Sequence, residues 1–372
     1  MISNNIRKNI RANDLAFLNV IKILATLVIC FQYHYNFIFV SSIGLDAVIT
    51  PGRSLWNYFS NIGYVFTELF FLISGILFHR VYFERISNGK YNFGSFIWKR
   101  VARLWPAFVI SEVIMYLIQC LLFVNNDILW SEQGSVNLVD FVTDLFFLSK
   151  TWINGDYPIN APAWYLGVLL ICYVWGFFLT KLSGRIRSVL VFLIPVFIGL
   201  GMIYRPDNAI LWNESLSRGY IGFFGGFFLD ILLKYSDDFS KKKRGLTCFL
   251  ALLIVSLGIR IESSPFPASF CSDVNFLYRT MFFPEIIFIF YCLKRANYLC
   301  DNPFVDFLGK YSYHIFLWNY PALAIYFAML VNGIYPADPS SVSGIIFLAG
   351  LNLALAIISY ILLGIKYRKK TC

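Results

Sequence analysis

The stretch TELFFLISGILF, residues 67–78, decides how this chain is read. It carries a single ionisable side chain, Glu68, and lies inside an apolar run from 61 to 79. It is one of ten such runs, at 15–40, 61–79, 105–124, 163–180, 188–204, 219–233, 246–260, 278–293, 311–331 and 342–365. A helix crosses ~30 Å of hydrocarbon with ~20 apolar residues, so each run is read as a membrane span. The whole composition agrees. Of 372 residues 58% are hydrophobic and only 14% charged, with a mean hydropathy of +0.66. Globular chains sit near roughly 45–50% and roughly 25%. In water, such a surplus would have too little polar surface to cover it. The fold class expected is all-α: a polytopic integral membrane protein of about ten transmembrane helices, with one integral domain over 1–372 and short tails at both ends. A shorter apolar patch from Val139 to Leu148 carries Asp140 and Asp144 and is read as an interfacial helix.

Lysine and arginine are retained on the cytoplasmic side of a membrane, which orients the spans. With the N-terminus inside, 24 of the 31 Lys and Arg fall on cytoplasmic segments: the N-terminal tail, the 80–104 loop, 181–187, 234–244, 294–310 and the C-terminal tail. Arg53, Lys150, Arg205, Arg218, Arg260 and Arg279 fall outside, and Lys22 lies within the first span. Both termini are therefore expected in the cytoplasm. The net charge of +10 is scattered among apolar runs, so no nucleic-acid partner is expected. Eight cysteines include no CxxC pair and no metal spacing, so neither a disulfide framework nor a bound metal is expected. The first fourteen residues are polar and basic, and the apolar stretch behind them is too long for a cleaved secretory signal. The longest outer loop, 125–162, leans acidic. It holds Trp130, Trp152 and Tyr157, which either form an interfacial belt or stack on sugar rings.

An ionisable side chain in hydrocarbon is costly, so each is a functional candidate until a partner explains it. The candidates are Lys22 and His34 in the first span, Glu68 in the second, Glu285 in the eighth, and Arg100 and Arg103 at the cytoplasmic mouth of the third. His34 stands ~28 Å along a helix from Asp14, near the outer boundary. There its ring either takes a proton from a hydroxyl or hydrogen-bonds a neighbouring helix. Arg100 and Arg103 share one helical face, which suits an extended anion such as a phosphate but also suits plain topological anchors. Lys22 either snorkels to the headgroups or takes part in the site. Glu68 either orients a catalytic cation or pairs with one of these basic groups. His79, beside Arg80, is read as interfacial and His314 as a packing residue, with Ser74–Gly75 as a point of close helix approach.

Five patches, taken in order, resemble the membrane acyltransferase-3 family, which includes bacterial polysaccharide O-acetyltransferases. They are TELFFLISGILF at 67–78, FIWKRVARLWP at 96–106, APAWYLGVLLICY at 161–173, YIGFFGGFFL at 220–229 and LGKYSYHIFLWNYP at 308–321. The resemblance implies a multi-pass enzyme of the bacterial cytoplasmic membrane. Such an enzyme takes an acetyl or similar acyl group from cytoplasmic acyl-CoA, here read as acetyl-CoA, to a hydroxyl of a cell-surface or lipid-linked glycan. In that reading His34 is the catalytic base, Lys22 and Glu68 complete the catalytic set, and Arg100 and Arg103 hold the CoA phosphates. No hydrolase-like domain follows the last span, so the integral domain is expected to complete the transfer alone or through a separate partner. The alternatives are a transporter or flippase for lipid-linked saccharides and a glycan polymerase.

Three departures from the family pattern mark the chain. The family's first span carries Arg and His eleven residues apart, about 20° on an ideal helix. Lys22 and His34 are twelve apart, which is about 120°. Either a π-bulge restores the alignment or Lys22 is not the counterpart of that Arg. Leu169 and Leu170 stand where many members have glutamates, and Asn319 stands where many have His after the late Trp.

Overall fold

In the computed structural model the described residues are 15–36, 38–39, 62–127, 136–149, 151, 158–186, 188–204, 211–262, 278–293, 298–334 and 341–368. Hydrocarbon offers the backbone no hydrogen-bond partner, so so apolar a chain satisfies its amides within helices. The described residues form helices and no strand. Helix α1 spans Phe17–Val28 and runs on through a π-helical turn, Ile29–Tyr33. Helix α2, Phe66–Phe78, lies between a 3₁₀ turn, Gly63–Val65, and a second π-helical turn, His79–Phe83. The long α3, Phe93–Asn126, is followed by a short α4, Leu138–Leu145, at the place of the expected interfacial helix. Then come α5 (Trp164–Ile186), α6 (Leu193–Tyr204), α7 (Glu214–Ser236) and α8 (Lys241–Glu262). Helices α9 (Phe283–Cys292), α10 (Pro303–Val331) and α11 (Val342–Arg368) complete the set.

Each of the ten apolar runs contains a helix. Six helical segments are long and apolar enough to cross a membrane: Gly63–Ser87, Phe93–Asn126, Ala161–Gly184, Glu214–Ser236, Pro303–Val331 and Val342–Leu362. Phe17–Tyr33, Leu190–Ile203 and Thr280–Cys292 are apolar but shorter. Helix α8 has the length, but Lys241, Lys242, Lys243 and Arg244 at its start and Arg260 near its end cut into its apolar part. The chain is a multi-pass helical membrane protein; among the described residues six helices meet the length and composition of a span. Trp130, Trp152, Tyr157 and the chain ends lie outside those residues.

Helices α3, α7 and α10 each open on an asparagine cap. The side-chain oxygens of Asn92, Asn213 and Asn302 accept the amides of Ser95, Leu216 and Val305 at 2.7, 3.0 and 3.0 Å, satisfying donors that the first turn leaves unpaired. Of the six spanning segments α7 is the most enclosed and α11 the least, with 78% and 22% of their apolar stretches buried. Ile346, Ile357, Ile358 and Leu362 of α11 face outward, an aliphatic surface suited to lipid.

Helices α2 and α7 form the centre. A Cβ on Gly75 would fall 1.8 Å from the Phe223 carbonyl oxygen, and one on Gly226 would fall 2.0 Å from the Leu72 carbonyl oxygen. The two backbones touch where only glycine fits, which is the close approach that the Ser74–Gly75 pair suggests. Buried ion pairs clamp both ends of this contact. Near one end Arg218 of α7 donates through Nε to Glu68 of α2. Near the other, Asp230 of α7 accepts from Arg80 and lies 2.6 Å from His79 Nδ1. His79, read from the sequence as interfacial, is buried and pairs with a fully buried carboxylate.

Gly75→Ala or Gly226→Ala is expected to destabilise the protein by about 1–3 kcal/mol, the usual cost of overpacking. Gly245→Ala on α8, where a Cβ meets nothing within 4 Å, is expected to stabilise slightly through helix propensity. Thermal unfolding in detergent checks this; equal effects at all three positions would remove the contact from the centre of the fold.

Candidate active site

Helix α1 carries two of the expected site residues. The His34 amide donates to the Ile29 carbonyl, five residues back, which is the mark of a π turn. One residue is absorbed there, so the twelve steps from Lys22 to His34 turn like eleven, about 20° rather than about 120°. The chain thus takes the π-bulge alternative. Each of the two side chains lines a cavity, and Phe316 of α10 borders both cavities.

The His34 cavity holds about 200 Å³ and is lined by aromatic rings, among them Tyr33, Tyr64, Trp164 and Tyr320. His34 is buried, with Nδ1 2.7 Å from Asn319 Oδ1. Asn319 Nδ2 donates to the Cys30 carbonyl at 3.2 Å. With its nitrogen committed to a carbonyl, the amide turns its oxygen to the imidazole, so Nδ1 carries the proton and Nε2 keeps its lone pair. A general base needs that tautomer. The Tyr320 ring holds the imidazole edge-on, with centroids 4.8 Å apart.

Glu68 is fully buried, and its partner is not Lys22, Arg100 or Arg103. It pairs with Arg218, whose Nη2 also donates to Thr67 Oγ1 and to the Tyr64 carbonyl, the latter at 3.2 Å. The Arg218 guanidinium lies 4.8 Å from the Trp164 ring centroid. Arg218 and Thr67 line the His34 cavity, with Glu68 bound to Arg218 at its edge. Glu68 therefore meets this cavity through Arg218.

The second cavity, about 170 Å³, is lined by Lys22, Arg100, Arg103 and Lys310 and, among the described residues, by no carboxylate. Arg103 and Lys310 are exposed, Lys22 is half-buried and Arg100 is 9% exposed, so positive charge runs from the surface inward. The Arg100 guanidinium lies 3.8 Å from the Tyr82 ring centroid and 5.2 Å from that of Tyr173. Its Nε and Nη2 are buried and have no hydrogen-bond partner among the described residues. Buried donors are normally paired; here ring faces support a guanidinium whose N–H groups suit an anionic ligand. Ser74 Oγ lies at the same cavity, 3.2 Å from Tyr165 Oη. His314 lines neither cavity; it ties α10 to α11 through Ser359 Oγ at 3.0 Å, a packing role. Glu285 also lines neither.

The arrangement brings Lys22, Arg100 and Arg103 together and separates them from His34. It also adds residues that reading the sequence left unassigned. Asn319 was visible only as a departure from the family pattern, Arg218 fell one residue outside an apolar run, and Lys310 counted as a topological charge.

A helical membrane bundle with a histidine in the base tautomer on one side of a phenylalanine, and a cationic cavity on the other, has the parts of a membrane-embedded group-transfer protein. The family model described as "Acyltransferase domain" matches residues 15–362. The chain belongs to this family, acyltransferase-3, over nearly its whole length. No curated protein matches the chain, and no solved structure matches it.

Asn319→Leu removes the group that fixes the His34 tautomer, and acyl transfer is expected to fall at least ~10-fold, as for other residues that orient a reacting side chain. Asn319→Asp keeps an acceptor opposite Nδ1 and is expected to retain more activity with an altered pH profile. Steady-state rates across pH check this; equal losses in the two variants would assign Asn319 to packing.

Proposed function

We propose that this protein is a membrane O-acyltransferase that moves an acetyl or similar acyl group from acyl-CoA to a hydroxyl of a cell-surface or lipid-linked glycan. One observation carries the reading: the cation-lined cavity with its unsatisfied, buried Arg100 and the His34 cavity meet at a single shared side chain, Phe316. CoA carries several phosphates at one end and a reactive thioester at the other, and a site for it needs charge at one end only. Arg100, Arg103, Lys22 and Lys310 bind the phosphates, and the thioester arm points toward Phe316. The aromatic lining of the His34 cavity suits the apolar faces of a sugar ring.

The acceptor hydroxyl oxygen attacks the thioester carbonyl carbon, so a C–O bond forms and the C–S bond breaks. His34 Nε2 takes the hydroxyl proton and returns it to the departing thiolate, leaving an ester and the free thiol of CoA. Arg218, held by Glu68, is a cation at the acceptor cavity. A carrier for lipid-linked saccharides uses one site exposed alternately to both sides; two chemically unlike cavities fit a two-substrate transfer better. In this reading the ten helical runs cross a bacterial inner membrane, and both termini and the donor cavity face the cytoplasm; the distribution of basic residues supports that orientation.

Purified protein in nanodiscs, supplied with acetyl-CoA and a glycan acceptor, is expected to release free thiol and form a sugar ester. Arg100→Ala is expected to weaken acetyl-CoA binding by about 1.5–3 kcal/mol, the value of a hydrogen bond to a charged group. His34→Gln is expected to cut turnover by roughly 10²–10⁴ with donor affinity retained. Near-normal turnover by folded His34→Gln would remove the histidine from the chemistry. For the topology, Asn88→Cys is expected to resist a membrane-impermeant thiol reagent added outside intact cells; strong labelling would reverse the orientation and the donor side with it.

A further inference from the structure

The two cavities share one wall, and that wall is built of rings. Phe316 of α10 lies 6.0 Å, centroid to centroid, from Phe70 of α2 and 6.4 Å from Tyr165 of α5; Phe70 and Tyr165 are 6.2 Å apart. Three helices thus contribute three rings in mutual contact. Phe316 is buried and reaches 6.3 Å from the His34 ring on its far side. Tyr165 is held by Ser74 Oγ at its hydroxyl and by Phe71, 4.5 Å away, at its face. Phe70 and Tyr165 border the basic cavity, and among the described residues Phe316 alone borders both.

A donor anchored by its phosphates at Lys22, Arg100, Arg103 and Lys310 enters the protein's interior acyl end first, so the acyl group is the part that meets these rings. Its carbonyl must reach the His34 side for a hydroxyl to attack it, while the acyl chain beyond the carbonyl needs room of its own. On the His34 side that room is about 200 Å³, shared with the acceptor. A packed ring wall yields little, because aromatic cores are close-packed and moving a ring forfeits its contacts.

We propose that Phe316, supported by Phe70 and Tyr165, is a specificity-determining residue that restricts the transferred group to short acyl chains. This rests on the acyltransferase reading above and supplies what that reading leaves open, the size of the acyl group. A close-fitting apolar wall discriminates by about 10–200-fold per methylene, so a few carbons suffice to exclude a longer donor.

The test is a series of acetyl-, butyryl- and octanoyl-CoA, compared by kcat/KM in the wild type, Phe316→Ala and Phe316→Leu. The wild type is expected to fall steeply along the series. Phe316→Ala is expected to raise the octanoyl-to-acetyl ratio at least ~10-fold, with Phe316→Leu intermediate. If Phe316→Ala folds poorly, the Leu variant, which keeps an apolar side chain in the wall, decides the matter by the same ratio. A uniform loss across the three donors would assign Phe316 to packing and overturn the proposal, as would a wild type that uses octanoyl-CoA as well as acetyl-CoA. A wild type that transfers from none of the three donors would overturn the acyltransferase reading itself, an outcome distinct from a transferring enzyme whose ratio ignores Phe316.

Discussion

Two buried ion pairs, Glu68 with Arg218 and Asp230 with Arg80, hold α2 and α7 in one axial register, with the Gly75 and Gly226 backbones touching between them. In a low-dielectric interior a lone charge is far more costly than a paired one. A slip of one helical turn, 5.4 Å, would break both pairs and drive Cα hydrogens and side chains into the opposing carbonyls. The register matters because both cavities are read off it. Thr67 and Arg218 belong to the His34 cavity, whereas Phe70 and Ser74 of the same α2 belong to the basic one. Moving α2 along α7 would move the ring wall relative to both.

The π turn of α1 makes a second constraint from one residue. It lets Lys22 and His34 share a face despite their twelve-residue spacing. It also diverts the His34 amide to Ile29, away from the Cys30 carbonyl that an α-helix would have used. That carbonyl accepts the Asn319 amide instead, and Asn319 fixes the imidazole. The shift in helix pitch and the orientation of His34 are one local event. π turns of this kind recur at functional sites because a displaced backbone group becomes available to a partner.

The helical membrane architecture was legible because hydrocarbon allows an apolar chain few choices, and all ten apolar runs contain helix. The ends of the helices were less so, for one physical reason. An apolar run stops at the first cluster of charges, but a helix continues through it. Helix α3 begins at Phe93 rather than 105, α7 at Glu214 rather than 219, and α10 at Pro303 rather than 311. The omitted turns contain Arg100, Arg103, Arg218 and Lys310, four of the five cations that line the two cavities; the fifth, Lys22, lies within the first run. Arg100 and Arg103 were recoverable from their i, i+3 spacing and the family resemblance. Arg218 and Lys310 were not, since their meaning comes from Glu68 on another helix and from cations on α1 and α3. The pairing of Glu68 depended on packing in the same way: several cations were within reach along the sequence, and only the α2–α7 contact selects Arg218.

Helices α1 and α10 show how a spacing between two reactions' worth of groups is fixed. Asn19 Nδ2 donates to Asp306 Oδ1 at 2.8 Å at one end of the pair, and His34 meets Asn319 at the other. Between these ties, α1 passes from Lys22 to His34 while α10 passes from Lys310 through Phe316 to Tyr320, so both helices run from the basic cavity to the His34 cavity. Ten residues of α10 amount to about 15 Å of helix, and on that length lie a cation, the ring of the partition and the ring that holds the imidazole. Gly309 lets the helices close at the cation end, where a Cβ would sit 2.5 Å from the Asn19 side chain. Neither helix can slide without breaking a tie, so the distance from the basic cavity to His34 is set by helix pitch rather than by loops. In the proposed transfer, a rigid span of that kind aligns a donor held at its charged end with a base at the other, which is where effective concentration in a two-substrate reaction originates.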